Sequence, residues 1–121
     1  MTLIIKEPSI IKAAGNKEII IKECFGYVNS KISEVSIAHL KSPEGWEEPG
    51  QCPEFNEYTI VLKGSLKIKT KKEEFIVSEG MGILTTSDEW IQYSSPFEGG
   101  AKYIAICLPA FSPEIAHRDK G

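Results

Sequence analysis

A glutamate and a histidine in strand-like runs are the residues of this chain best suited to acid–base chemistry. Glu57 opens the run Glu-Tyr-Thr-Ile-Val, and His39 lies in the earlier run Ser-Ile-Ala-His-Leu. Side chains two residues apart share one face of a strand, so Glu57 lies on the same face as Thr59 and Val61. A carboxylate on an inner wall needs a partner or a raised pKa, and either condition suits ligand binding or proton transfer.

Strand patterns recur along nearly the whole sequence and predict an all-β protein. Short β-branched or aromatic runs alternate with turn residues, and only Ser112-Pro113-Glu114 reads as a helix start. This short C-terminal helix carries His117, which we expect at the surface. The predicted strands are Leu3–Ile5, Lys17–Phe25, Val35–Lys41, Glu57–Lys63, Ser65–Thr70, Glu74–Val77, Gly82–Thr86, Trp90–Ser94 and Ala101–Leu108. The stretch 42–56 is the one long irregular loop, and such loops are often functional.

The composition of the chain limits the kinds of molecule that we expect it to bind. The chain has 121 residues, enough for one domain, and a formal net charge of -3. Its lysines form no basic stripe that could neutralise a phosphate backbone, so we expect no nucleic acid partner. Apolar runs are far shorter than the roughly 20 residues that cross a bilayer, so we expect no membrane contact and a cytoplasmic protein.

Two glycine-containing segments carry a family resemblance. In the first, six residues separate Glu57 from Gly64, and Ser-Leu-Lys-Ile follows; the second reads Ser-Glu-Gly-Met-Gly-Ile-Leu-Thr-Thr-Ser-Asp-Glu-Trp and ends at Trp90. In order and spacing, these segments resemble the two motifs of the cupin superfamily over about residues 34–108. The resemblance implies a small single cupin domain over residues 1–121, a double-stranded β-helix (jelly-roll barrel).

The chain departs from the cupin motifs at the positions that bind metal in the family, which uses three histidines and one glutamate. Only Glu57 occupies such a position. The histidine positions hold Gly50 and Cys52 in one register, Gln51 and Pro53 in the other, and Trp90 in the second motif. Divalent transition metals favour imidazole nitrogens over a lone carboxylate with amide oxygens. We therefore expect no tightly bound metal of the family type and identify no other cofactor, and a divalent metal held by other ligands stays open as an alternative.

The barrel implied by the resemblance places Glu57 on the inner wall and predicts its neighbours. Strand parity puts Trp90, Gln92 and Ser94 on one face, and His39 beside apolar residues. The candidate ligand-binding residues are Gln51, Glu54, Glu57, Trp90, Gln92 and His39, and the candidate catalytic pair is Glu57 with His39. Alternatives remain open: His39 as a hydrogen-bonded core histidine and Trp90 as barrel filling. Trp46 either caps the mouth or is buried against the barrel.

Two functions of different classes fit this pocket. The first is a metal-free protein that binds a small molecule of unknown identity. The second is an isomerase, epimerase or lyase acting on a carbohydrate or small carboxylic acid, with an acid–base pair within hydrogen-bond reach of substrate. A metal-dependent oxygenase ranks third. We also expect a homodimer, with the apolar set Tyr58, Ile60 and Leu62 either between the sheets or at the interface.

Overall fold

The computed structural model describes residues 1–120, which form nine strands and one short helix. The strands are β1 (Ser9–Ile11), β2 (Ile20–Phe25), β3 (Ser36–Ser42), β4 (Trp46–Glu47), β5 (Asn56–Thr70), β6 (Glu74–Ser78), β7 (Gly82–Thr85), β8 (Ile91–Ser95) and β9 (Ala101–Leu108). The helix is α1 (Pro113–Ala116). The all-β prediction with one short C-terminal helix is therefore confirmed.

Strand β5 belongs to two antiparallel sheets and joins them. Its first half pairs with β9 and β7, in a sheet ordered β1-β2-β3-β9-β5-β7. Its second half pairs with β6 and β8, and β8 pairs in turn with the short β4. The sequence predicted two strands separated at Gly64, whereas the structure has one continuous strand of 15 residues. The two sheets curl around a shared interior.

Gly64 is the point at which β5 passes from one sheet to the other. The register with β9 shifts between Val61 and Lys63, and Gly64 follows with φ of +78°. A Cβ at Gly64 would lie 2.1 Å from the carbonyl oxygen of Gly100. Both the left-handed backbone and this close approach require glycine. The turn predicted here is thus a bend within a strand.

The core lies between the sheets, and strand alternation selects its residues. Leu66 and Ile68 on β5 are fully buried, whereas the lysines that alternate with them lie outside and form salt bridges with Glu74. On β8 and β9 the buried side chains include Ile91, Tyr93 and Tyr103. This part of β5 therefore has a core face and a lysine face, as the alternation of side chains along a strand requires.

Two local predictions about strands are wrong. The first strand is Ser9–Ile11 rather than Leu3–Ile5, since it is the former segment that pairs with β2, while Leu3 and Ile4 are exposed. Within the predicted loop 42–56, Trp46 and Glu47 form β4 by pairing with Ser95 and Ser94. In both cases the available partner strand, not local apolar character, decides where a strand forms.

The C-terminal helix begins as predicted, with Ser112 at the N-cap position, Pro113 in the first turn and Glu114 beside it. The Ser112 side chain makes no capping hydrogen bond. His117 ends the helix in a left-handed conformation and is exposed, as expected. Within residues 1–120, the structure contains no helix long and apolar enough to cross a membrane.

Replacing Gly64 by alanine tests the role of the bend in β5. Gly80 is the matched control, because its φ is +83° but nothing lies within 4 Å of a Cβ there. We expect Gly80→Ala to lower the free energy of unfolding by about 1 kcal/mol from backbone strain alone. Gly64→Ala should cost about 3 kcal/mol, since the new methyl also displaces the Gly100 backbone. Urea unfolding measures both values, and equal losses would contradict the proposed crossing.

Candidate functional site

A cavity of about 100 Å³ lies inside the barrel, next to the core. Most of its wall is apolar, with aliphatic side chains from β2 and β3 and aromatic side chains from elsewhere in the chain. Polar side chains interrupt this wall, and they are Lys12, Glu23, Ser36, Glu48, Gln51, Glu57 and Arg118. Apolar walls with a few convergent polar groups are typical of small-molecule sites.

Glu57 reaches the cavity from the first half of β5. Its strand pairs there with Thr85 on one side and Cys107 on the other, so the backbone is held within a sheet. Thr59 and Val61, two and four residues further on, are buried on the same face, as parity predicted. Burial raises the pKa of the Glu57 carboxyl to about 7. This side chain therefore exchanges a proton near neutral pH.

Glu48, which the sequence analysis did not identify, is a second carboxylate in the cavity wall. It follows β4, and its amide donates to the Tyr93 carbonyl at 3.1 Å. Its Oε2 is buried and has no hydrogen-bond partner among residues 1–120. Burial, reinforced by the charge of Glu57, raises the pKa of Glu48 well above its ordinary value, against lowering effects of Arg118 and the Tyr93 backbone.

Gln51 and Arg118 come from segments that pair backbone to backbone. Gln51 exchanges two hydrogen bonds of 2.8 Å with Ile91 of β8, and it bridges to Arg118 on its other side. The Gln51 side chain is buried, and the Arg118 guanidinium lies 5.4 Å from the Phe111 ring centre. The C-terminal segment thus closes this part of the cavity and supplies one of its two cations, the other being Lys12.

Trp46 is the largest aromatic side chain of the cavity wall, which Phe55 and Phe111 also line. It is only 2% exposed, packs in the core cluster and lines the cavity. Of the two placements that the sequence left open, the structure therefore shows burial against the barrel. The signal that could have identified both Trp46 and Glu48 is their spacing of two residues, which puts them on the same face of an extended segment.

Trp90 lies outside the cavity, so its predicted inward position is wrong. Its Nε1 donates to Asp119 at 2.9 Å, and the Lys71 ammonium lies 4.5 Å from its ring centre. Strand β8 starts one residue later, and its inward side chains are those of Ile91 and Tyr93. Side chains two residues apart share a face, so either Ile91 and Tyr93 or Trp90 and Gln92 can face the core. Ile91 and Tyr93 occupy the core face.

The prediction that Gln92 lines the cavity is also wrong, because Gln92 lies on the same outward side of β8 as Trp90. Its Nε2 donates to the Glu48 carbonyl oxygen at 3.0 Å, and the side chain does not line the cavity. Gln92 therefore fixes the backbone of a cavity residue.

His39 and Glu54 do not reach the cavity either. His39 is exposed, and β3 presents Ser36, Ala38 and Leu40 to the interior. The outer face of β3 is itself partly apolar, so apolar neighbours did not reveal which side is inside. Glu54 is exposed and pairs with His117 at the surface. Glu57 and His39 consequently lie on different sides of the barrel wall and cannot act as a pair.

The side chains of the cavity do not fit the metal centre of the cupin motifs. No group of three His, Cys, Asp or Glu side chains is gathered for a metal ion within residues 1–120. The cavity offers three carboxyl groups and an amide beside the Lys12 ammonium and the Arg118 guanidinium, whose positive charges oppose cation binding. Both histidines, His39 and His117, are exposed.

Comparison with known proteins places the chain by sequence and by shape. No family model matches it. Over 99 residues it is 35% identical to the Endoribonuclease YbeY of Myxococcus xanthus (strain DK1622), a match that covers 82% of this chain and 34% of that protein. The chain thus spans about a third of the length of this relative.

Solved structures give the clearer likeness, and three of them have TM-scores of 0.65 to 0.74. An RmlC-like cupin from Shewanella frigidimarina is 14% identical with TM-score 0.70, and the match covers 89% of each chain. An oxalate decarboxylase variant from Bacillus subtilis is 15% identical with TM-score 0.74, covering 94% of this chain and 31% of that one. The EutQ protein of Clostridium difficile is 21% identical with TM-score 0.65, covering 78% and 65%. The chain is therefore a small protein of the cupin fold.

Proposed function

We propose that this protein binds a small polar molecule in its barrel cavity without a metal of the cupin type. The observation that carries the proposal is the buried Glu48 Oε2, which has no partner among residues 1–120 although it belongs to a cavity-lining side chain. An unsatisfied buried acceptor costs about 1–3 kcal/mol. A ligand that donates a hydrogen bond to this oxygen would remove that cost.

The size and lining of the cavity support a small occupant. A volume of about 100 Å³ holds several water molecules or one small metabolite. Trp46 and the aliphatic wall provide contact area, while Gln51 and the two carboxyls provide orientation. Binding in such a site should change the surroundings of Trp46 directly.

Tryptophan fluorescence tests this proposal, because the two tryptophans of the chain differ in position. Trp46 lines the cavity, whereas Trp90 lies outside it. We expect pooled small polar metabolites to change the emission of the wild type and of Trp90→Phe, and to leave Trp46→Phe without a response. Thermal unfolding of each variant confirms that it is folded. A folded wild type that responds to no pool, in emission or in melting temperature, would contradict the proposal.

A second candidate function is proton transfer by an isomerase, epimerase or lyase acting on a carbohydrate or small carboxylic acid. It is favoured by the pKa of about 7 at Glu57, next to a second carboxyl, Glu48, whose pKa is also raised. Incubation of the same pools in D2O separates the candidates. An enzyme of this class would exchange a hydrogen on the substrate carbon next to a carbonyl group for deuterium. The Glu57→Gln variant would not. A metal-dependent oxygenase is not proposed, since the donors do not fit.

The raised pKa of Glu57 makes stability depend on pH. The folded carboxyl binds its proton up to about pH 7, whereas the unfolded one releases it near 4.5. The unfolded chain therefore holds fewer protons in this window, and the free energy of unfolding falls as pH rises from about 4.5 to 7. At 1.36 kcal/mol for each pKa unit, the loss is about 3 kcal/mol.

Glu57→Gln should remove most of this dependence, because the amide does not ionise. We expect wild type and variant to have similar stability at pH 5 and the variant to be more stable at pH 8. Chemical unfolding across this range measures the difference, with Glu79→Gln, an exposed carboxyl in a turn, as control. Parallel pH profiles for wild type and Glu57→Gln would show that Glu57 ionises normally.

We further propose that the protein forms a homodimer through the outer face of the β5 and β7 sheet. Tyr58, Ile60 and Leu62 are each more than 40% exposed on β5, and Leu84 on β7 continues the patch. The structure thus places this set outside the core, on the sheet face opposite the cavity. Contiguous exposed apolar patches commonly mark interaction sites, and an isologous contact between two copies would cover both at once.

Sedimentation equilibrium at micromolar concentration tests the dimer. We expect twice the chain mass for the wild type and the monomer mass for Ile60→Glu, since a buried unpaired carboxylate disfavours association. Ile76→Glu is the control, because Ile76 is 56% exposed on β6, away from the patch. A monomeric wild type would overturn the proposal.

Three expectations from sequence stay predictions: a single cupin domain, a cytoplasmic location and the absence of a nucleic acid partner. The relative named as an endoribonuclease does not change the last of these, since the similar region is about a third of that protein.

A further inference from the structure

A second, larger cavity adjoins the first and extends it outward. It has a volume of about 400 Å³ and shares part of its wall with the inner cavity. The shared residues are Ile11, Lys12, Glu23, Phe111 and Arg118. We call the two spaces the inner chamber and the outer chamber. A ligand that spans their boundary meets both sets of side chains.

The boundary carries the two cations of this region, Lys12 and Arg118. Arg118 is half-buried, and within residues 1–120 its side chain makes neither a salt bridge nor a hydrogen bond. A guanidinium binds a carboxylate with two parallel hydrogen bonds, and leaving it unpaired in a partly enclosed site is unfavourable. The boundary therefore favours an anionic group on the ligand.

The acids near Arg118 form no salt bridge with it within residues 1–120, although the Arg118 charge reaches Glu48 and lowers the pKa of that carboxyl. The Glu23 carboxylate accepts hydrogen bonds from the amides of Val28 and Asn29, at 3.0 and 3.1 Å. Glu114 borders only the outer chamber and is exposed to solvent. A ligand can therefore supply the carboxylate that pairs with the Arg118 guanidinium.

The inner chamber contains two carboxyl groups that do not border the outer chamber. Glu48 and Glu57 both line it and do not line the outer chamber, and the Glu48 Oε2 is unpartnered. An ammonium group donates up to three hydrogen bonds and would satisfy both carboxylates. Because opposite charges attract strongly in a poorly hydrated site, the same group would favour the ionised form of each acid.

Resting on the proposed function, we infer that the ligand is a small amino carboxylate whose carboxylate contacts Arg118 at the boundary and whose ammonium contacts Glu48 and Glu57 in the inner chamber. A neutral sugar would leave the guanidinium unpaired. A simple anion would leave the two inner carboxylates unpaired, and a simple amine would leave Arg118 unpaired. Only a ligand with both charges complements both chambers.

Binding measurements on the full chain test this inference. The probes are the protein amino acids, β-alanine and 4-aminobutyrate, followed by the deaminated acid and the decarboxylated amine of the best binder. We expect the amino carboxylate to bind at least about tenfold more tightly than either, the ratio typical of one lost charged hydrogen bond. Isothermal titration gives the dissociation constants.

Two variants assign the charges to their partners. Arg118→Met should abolish the preference over the amine, and Glu48→Gln should abolish the preference over the deaminated acid. Lys120→Met, which removes an exposed cation two residues from Arg118, should change neither preference. If Arg118→Met does not fold, Arg118→Gln takes its place. Unchanged preferences in a folded Arg118 variant would overturn the inference.

The outcomes also separate this inference from the proposed function. Binding of neutral polyols or simple acids, with no amino carboxylate bound, would overturn the ligand class and leave the binding function intact. No response to any pool would remove the binding function, and the ligand class with it.

Discussion

The passage of β5 through both sheets is the constraint on which the rest of the structure depends. One strand of 15 residues pairs with β9 and β7 before Gly64 and with β6 and β8 after it. At the passage, Gly64 approaches the Gly100 carbonyl so closely that a Cβ would not fit. Because the same strand carries Glu57 in its first half and the buried Leu66 and Ile68 in its second, cavity and core are positioned together.

The chemistry of the cavity follows from this enclosure. Carboxyls that would ionise fully in water lose hydration between the sheets, so the pKa of Glu57 rises to about 7 and that of Glu48 is raised well above its ordinary value. The positions at which cupin motifs carry histidines are occupied instead by loop residues and by Trp90, whose ring lies outside against Lys71. The cavity therefore presents carboxyl and amide groups in place of imidazoles, with Lys12 and Arg118 as its positive charges.

The sequence predicted the fold well because its signals are local. Six residues separate Glu57 from Gly64, and Leu66 and Ile68 alternate with lysines. Both patterns involve only neighbouring residues, so they indicate strands whichever partner strands pair with them. The site was predicted less well. Glu57 and Gln51 line the cavity, whereas Trp90, Gln92, Glu54 and His39 do not, and Glu48 and Arg118 were not identified. Parity states which side chains share a face, but it does not state which face is inside.

The sequence by itself determined an all-β chain, a strand beginning at Glu57 with Thr59 and Val61 on the same face, and the loss of the histidines expected of a cupin metal centre. Only the tertiary structure decided that Trp46, in the short strand β4, and Glu48, just after it, line the cavity, and that Arg118 returns to the barrel. The physical reason is that these placements depend on hydrogen bonds between segments far apart in the chain, such as Gln51 with Ile91 and with Arg118. Local residue patterns do not predict those pairings.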